Sequence, residues 1–150
     1  MLHDRIKTIC DEMLGIPYQH NGRDENGVDC WGVVQLFFHK LNVELPVNDG
    51  ADVADNWYKK DPGRYERGLH TLGEEIGHYE NLQQFDIPYF RLYYDVVTHT
   101  GVMLNDYQFI HVLINKEVSI GTMKRRFWRR KYAGAIRLSK NYVKGLTLNS

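Results

Sequence analysis

Three residues in this chain could carry chemistry together: Cys30, His99 and His111. A thiol acts as a nucleophile in its thiolate form, and the start of a helix favours that form because unpaired N–H groups and the helix dipole stabilise negative charge. Cys30 lies in Val28-Asp29-Cys30-Trp31-Gly32, where a polar, glycine-rich stretch gives way to an apolar run, so it falls at or near a helix's first turn. His99 and His111 fall on successive predicted strands. Their even separation puts them on one face of a hairpin when the loop between the strands has an odd number of residues; an even loop without a bulge would separate them. Two imidazoles side by side in an apolar sheet need a hydrogen bond, and a base with its orienting partner meets that need. Two satisfied core histidines are the bland alternative. A zinc site from the same three residues is the other, but no CxxC or HExxH spacing accompanies it, so neither metal nor cofactor is expected.

The elements that must position these residues follow from periodicity. Ile6, Ile9, Cys10, Met13 and Leu14 recur at helical spacing over residues 4–14, and Gly15 with Pro17 ends the run. Cys10, on that apolar stripe, reads as a plain buried thiol. His20 to Gly27 reads as a loop. Val33, Val34, Leu36, Phe37, Phe38 and Leu41 then form a helix that is apolar nearly all round, as a helix in the middle of a domain must be. Residues 43–83 suggest loops and one or two helices, with Trp57, Tyr58 and Tyr65 as suitable for packing as for substrate contact. Strands are expected at Ile87–Phe90, Thr98–Leu104, Gln108–Ile114 and Gly134–Leu138, with Asn105-Asp106 as turn residues. Helices first and an antiparallel sheet after them is an α+β order.

The chain has 150 residues, which suits one domain over 1–150. Its 19 Lys+Arg balance 19 Asp+Glu, so whole-chain charge names no partner. The distribution is uneven: residues 116–150 hold ten Lys/Arg against Glu117 alone. Within them, Lys124-Arg125-Arg126-Phe127-Trp128-Arg129-Arg130-Lys131 is either a docking or anionic-polymer surface, or a solvated basic face with Trp128 packed inward. Nucleic acid is the weakest reading, since the rest of the chain is acidic and lacks a recognition motif. The first residues contain scattered charges rather than a secretory signal, and no run has the length of a membrane helix. Two cysteines twenty residues apart then point to synthesis in a reducing cytoplasm, with both thiols free.

The ordered motifs resemble those of the NlpC family of cell-wall cysteine peptidases. Gly15-Ile16-Pro17-Tyr18, Asp29-Cys30-Trp31-Gly32, Phe85-Asp86, His99-Thr100-Gly101 and Phe109-Ile110-His111 fall in the family's order, spread over residues 5–138 with the middle third unmatched. The resemblance implies a papain-like fold with N-terminal helices on a central antiparallel sheet. It implies Cys30 as nucleophile, His99 as base, His111 as its orienter, and Tyr18 lining the nucleophile's pocket. It also implies that Asp29 and the position of Trp31 help hold the free amino end of a peptidoglycan stem peptide, cut at a γ-D-glutamyl bond to a diamino acid.

Two positions depart from the common pattern: Trp31 stands where serine is usual, and Phe85 replaces the glycine of a Gly-Asp pair, a change expected to touch only the turn. Trp31 and the Arg/Trp-rich segment resemble the branch carried by tailed phages and gene-transfer particles. That branch implies a tail-tip or tail-assembly component located in the virion tail, with tail hub proteins as partners. A structural tail component with little activity, and a thiol amidase or acyltransferase of the same superfamily, are the rival readings.

Overall fold

The computed structural model describes residues 2–46, 63–93 and 95–148. The first helix, α1 (Leu2–Met13), buries Ile6, Ile9, Cys10 and Met13, the stripe its spacing predicts. It stops where Gly15 takes a φ of +92°, a conformation open to glycine at no steric cost. The chain then runs alongside residues 116–118: Gly15 N–H donates to Val118 O at 3.1 Å, Val118 N–H to Ile16 O at 2.8 Å, and Tyr18 N–H to Lys116 O at 2.9 Å. This pairing ties the first motif to a loop on the far side of the sequence.

The predicted loop from His20 to Gly27 contains a two-residue hairpin, β1 (Arg23–Asp24) against β2 (Gly27–Val28). The central helix, α2 (Cys30–Lys40), follows at once and buries Trp31, Val33, Val34, Leu36, Phe37 and Phe38. Each such side chain contributes roughly 1.5–3 kcal/mol by leaving water. This apolar circumference needs partners on every side, and α1 and the sheets supply them.

Among the described residues of 43–83 are a helix, α3 (Arg64–His70), of the kind expected, and a strand, β3 (Gly73–Ile76), that the patchy sequence pattern does not reveal. Trp57 and Tyr58 lie outside the described residues, as does the side chain of Tyr65. A 3₁₀ turn (Tyr79–Asn81) leads into β4 (Ile87–Phe90). The expected strand over Thr98–Leu104 is broken at Gly101 into β5 (His99–Thr100) and β6 (Val102–Met103). Next come β7 (Gln108–His111) and β8 (Ser119–Thr122), the latter unpredicted, then a short helix α4 (Arg126–Lys131). The last strand, β9 (Tyr132–Leu138), starts two residues earlier than expected, and α5 (Lys140–Leu148) follows it.

The strands form one antiparallel sheet in the order β3-β9-β4-β5 and a second, β6-β7-β8, that the chain enters directly as it passes Gly101. The α+β expectation holds, with helices α1 and α2 packed on antiparallel sheet. One ion pair fastens β9 beside β4. Asp86, 1% exposed, accepts from Arg137 Nε at 2.9 Å and Nη2 at 2.8 Å. Phe85 before it has a φ of +76°, an unusual conformation for a bulky residue, which accounts for glycine being the commoner choice there. Its ring lies 6.4 Å from that of Phe37 and 6.1 Å from that of Phe38, so the substitution reaches beyond the turn into the packing of α2. Among the described residues, no helix is long and apolar enough to cross a membrane.

Candidate active site

Cys30 is the first residue of α2, capped by Asp29, whose carboxylate accepts from the Gly32 N–H at 2.7 Å. The cap satisfies one of the unpaired N–H groups of the first turn and leaves the thiol, partly exposed, at the helix's positive end. Cys30 Sγ lies 3.7 Å from the carbonyl oxygen of Thr98, the residue immediately before His99. The helix end and β5 therefore meet at the cysteine and beside the histidine that sequence analysis singles out.

His99 and His111 are each 3% exposed and share a hydrogen bond, Nε2 of His99 to Nδ1 of His111, at 2.9 Å. The hairpin arithmetic holds: Val102 pairs with Ile110 and Met103 with Phe109, leaving five residues between the last pair, an odd loop. In this register His111 sits diagonally from His99, and Gly101 occupies the intervening position on the same face. A Cβ at residue 101 would lie 2.6 Å from Ile110 O and 3.2 Å from His111 Cβ, so glycine permits the close approach of the two rings. Across the next strand, a Cβ at Gly121 would lie 2.7 Å from Phe109 Cζ and 3.0 Å from His111 Nε2.

An aromatic box encloses the pair. Trp128 stacks on His99 with centroids 5.4 Å apart and planes inclined by 25°, and meets His111 edge-on at 5.0 Å. Phe90 lies 5.8 Å from His99, and Phe109 4.8 Å from His111. Burial in this box disfavours the charged imidazolium. It holds His99 well below its ordinary pKa, with the neighbouring His111 adding to the effect, and lowers His111 to about 4. Both rings are thus neutral at pH 7, and the shared hydrogen bond requires one nitrogen to donate and the other to accept.

The other residues marked in the sequence are placed as follows. Tyr18 is half-buried and bridges to Val28, two residues before Cys30. Asp29 accepts from Gly32 and, in addition, from Arg23 Nη1 at 2.6 Å and from the Asn21 N–H at 3.2 Å. Trp31 is 5% exposed and sits in the core, with a buried Nε1 that has no hydrogen-bond partner. Cys10 is buried, and burial raises its pKa, as suits an inert thiol. In the basic segment Trp128 is 5% exposed while Lys124, Arg125, Arg126, Arg129 and Arg130 are exposed, the inward-Trp arrangement. Among the described residues, no group of three His, Cys, Asp or Glu side chains is placed to hold a metal ion.

Arg23, Gly121 and the partnership of Trp128 with His99 escape sequence reasoning. Trp128 is hidden by its basic neighbours, and Gly121 by a stretch that carries no strand alternation. Arg23 lies in a polar loop where a lone cation has no visible partner until the hairpin folds.

A helix that presents a cysteine at its N-terminus to a histidine on an antiparallel sheet, with helices preceding strands in the chain, defines a papain-like α+β protein. More specifically, the chain belongs to the NlpC/P60 family, whose model matches residues 15–137. It is 26% identical over 135 residues to the murein DD-endopeptidase MepS/murein LD-carboxypeptidase of Escherichia coli, covering 89% of this chain and 62% of that one. The chain spans about three fifths of the length of the curated relatives it matches. Among solved structures, an NlpC/P60 family protein from Bacillus cereus superposes with a TM-score of 0.65 at 23% identity, covering 91% of this chain and 40% of that one. The NlpC/p60 domain of the peptidoglycan hydrolase SagA gives 0.61 at 17% identity, covering 91% of this chain and 98% of that domain. These two likenesses show the fold.

Proposed function

We propose that this protein is a cysteine peptidase acting on the peptides of bacterial peptidoglycan, with Cys30 as nucleophile, His99 as base and His111 as the residue that orients it. The observation that carries the reading is the 2.9 Å bond between His99 Nε2 and His111 Nδ1. If Nε2 donates that bond, Nδ1 of His99 is left as an acceptor for the proton of Cys30, whose sulfur lies against the neighbouring carbonyl of Thr98. His111 must then carry its own proton on Nε2.

In the mechanism that follows, the Cys30 proton passes to His99 Nδ1 and the sulfur attacks the peptide carbonyl. Backbone N–H groups at the start of α2 stabilise the oxyanion. His99 returns the proton to the leaving amine, and water, activated by the same ring, releases the acyl group from sulfur. The apolar box makes an isolated imidazolium costly, so His99 becomes charged only while the thiolate or oxyanion is beside it. Tyr18, Asp29 and Trp31 surround the nucleophile, with Tyr18 at the substrate side and Trp31 supporting the helix from within.

The finer reading is cleavage of the γ-D-glutamyl bond to a diamino acid, by a component of a phage or gene-transfer particle tail tip that docks on tail hub proteins. Family membership and the retained Asp29 support the bond, while Trp31 after the cysteine and the exposed cations of residues 124–131 support the tail location. Hydrolysis of purified muropeptides, with products identified by mass spectrometry, tests the activity. Cleavage by the wild type that disappears in Cys30→Ala and His99→Ala is the expected result. A folded wild type that leaves every muropeptide intact overturns the peptidase reading. Antibody labelling of particles tests the location.

A further inference from the structure

Asp29 stands one residue before the nucleophile, and its charge is already engaged from inside the protein. Oδ1 accepts from the Gly32 N–H at 2.7 Å and from Arg23 Nη1 at 2.6 Å, while Oδ2 accepts from the Asn21 N–H at 3.2 Å. The ion pair is sheltered, with side chains 28% exposed for Arg23 and 14% for Asp29. Arg23 Nη1 is fixed by a second bond to Gly22 O at 2.8 Å, and its Nε–H, shut off from solvent, has no partner among the described residues. The hairpin of β1 and β2, which ends directly at Asp29, holds the guanidinium in place. This corner of the site is therefore a neutralised carboxylate beside a guanidinium whose Nη2 makes no bond among the described residues.

We infer that Arg23 is a specificity-determining residue: it makes the corner beside Cys30 reject a free α-ammonium and accept an acylated amino end. An arriving ammonium needs a carboxylate whose charge is unspent, and here it meets a like charge instead. An amide-blocked amino end carries no charge and brings a carbonyl oxygen, the acceptor that unspent guanidinium donors suit. In peptidoglycan, that is a stem peptide still joined through its first residue to the glycan strand, so the enzyme would cut intact wall in preference to liberated peptides. The inference rests on the peptidase reading above.

Two stem peptides of one sequence, one with a free amino end and one N-acetylated, provide the test. The wild type is expected to cut the acetylated peptide with a kcat/KM at least about tenfold higher, the scale set by a like-charge contact at a binding site. Arg23→Gln should bring that ratio to parity or invert it, because Asp29 regains an unbalanced charge, whereas Arg23→Lys should keep most of the preference. A wild type that prefers the free amine, or a ratio that Arg23→Gln leaves unchanged, overturns the inference. The wild-type ratio stands whether or not Arg23→Gln folds, which a thermal melt decides.

If neither peptide is cut, the peptidase reading fails, and calorimetric binding to Cys30→Ala decides the inference by itself. Tighter binding of the acetylated peptide, lost on adding Arg23→Gln, supports it. Equal binding, or none, overturns it.

Discussion

His99 is useful as a base only if its ring is held with Nδ1 toward the thiol, and a polar tether in its buried setting is Nδ1 of His111 at 2.9 Å. Replacing His111 by alanine removes the acceptor and leaves a buried N–H of His99 without a partner. We expect kcat on muropeptides to fall by about 10²–10⁴-fold, with KM little changed, since the loss falls on the chemical step. Asparagine can set an amide oxygen near the position of Nδ1, so His111→Asn should retain more activity than His111→Ala, and equal losses in the two would argue against an orienting role. Gly101 acts on the same pair through space. Its missing Cβ keeps 2.6 Å clear of Ile110 O, a backbone atom that cannot swing aside. Gly101→Ala is expected to cost about 1–3 kcal/mol in urea denaturation and to lower kcat as the rings are pushed apart. At this scale the sequence is informative: cysteine, histidines and glycine are all visible, because polar groups at strand spacing stand out among apolar residues.

Short elements built around these residues are harder to read, and α4 shows why. Its six residues are dominated by cations, so the pattern suggests solvent, yet one indole from it forms a wall of the histidine box. Trp128→Ala would open a cavity against Phe90, Phe109 and both imidazoles. A loss of about 3–5 kcal/mol in stability is expected, read from chemical unfolding. Trp128→Phe keeps part of the ring face and should lose less, with kcat following the order wild type, Phe, Ala. An unchanged melting curve for Trp128→Ala would mean that the box is not held together by this side chain. The strands β3 and β8 escape prediction for a related reason. Glu74, Glu75, Ser119 and Ile120 are exposed, so neither strand shows a clean alternation, and each is fixed by its pairing with a neighbour distant in sequence or across a turn.

For the whole molecule, the α+β order and its antiparallel strands are legible because the apolar period changes from helical to alternating near Phe85. The division into two sheets at Gly101 is not, since it depends on which edges β4 and β7 offer. The same packing fixes how stability responds to acid. His99 and His111 titrate lower in the folded protein than their ordinary 6.5, His111 at about 4, through burial. As pH falls from about 6.5 toward 4, the unfolded chain takes up protons that the folded chain refuses, so stability declines through that window and is insensitive to these groups above it. The shift of His111 alone corresponds to about 3 kcal/mol lost by pH 4. Urea unfolding at pH 7.5, 5.5 and 4.5 should show this decline in the wild type and a shallower one in His111→Asn, which has no imidazole at that position to protonate. Parallel slopes in the two proteins would mean that His111 is not the buried neutral group described here.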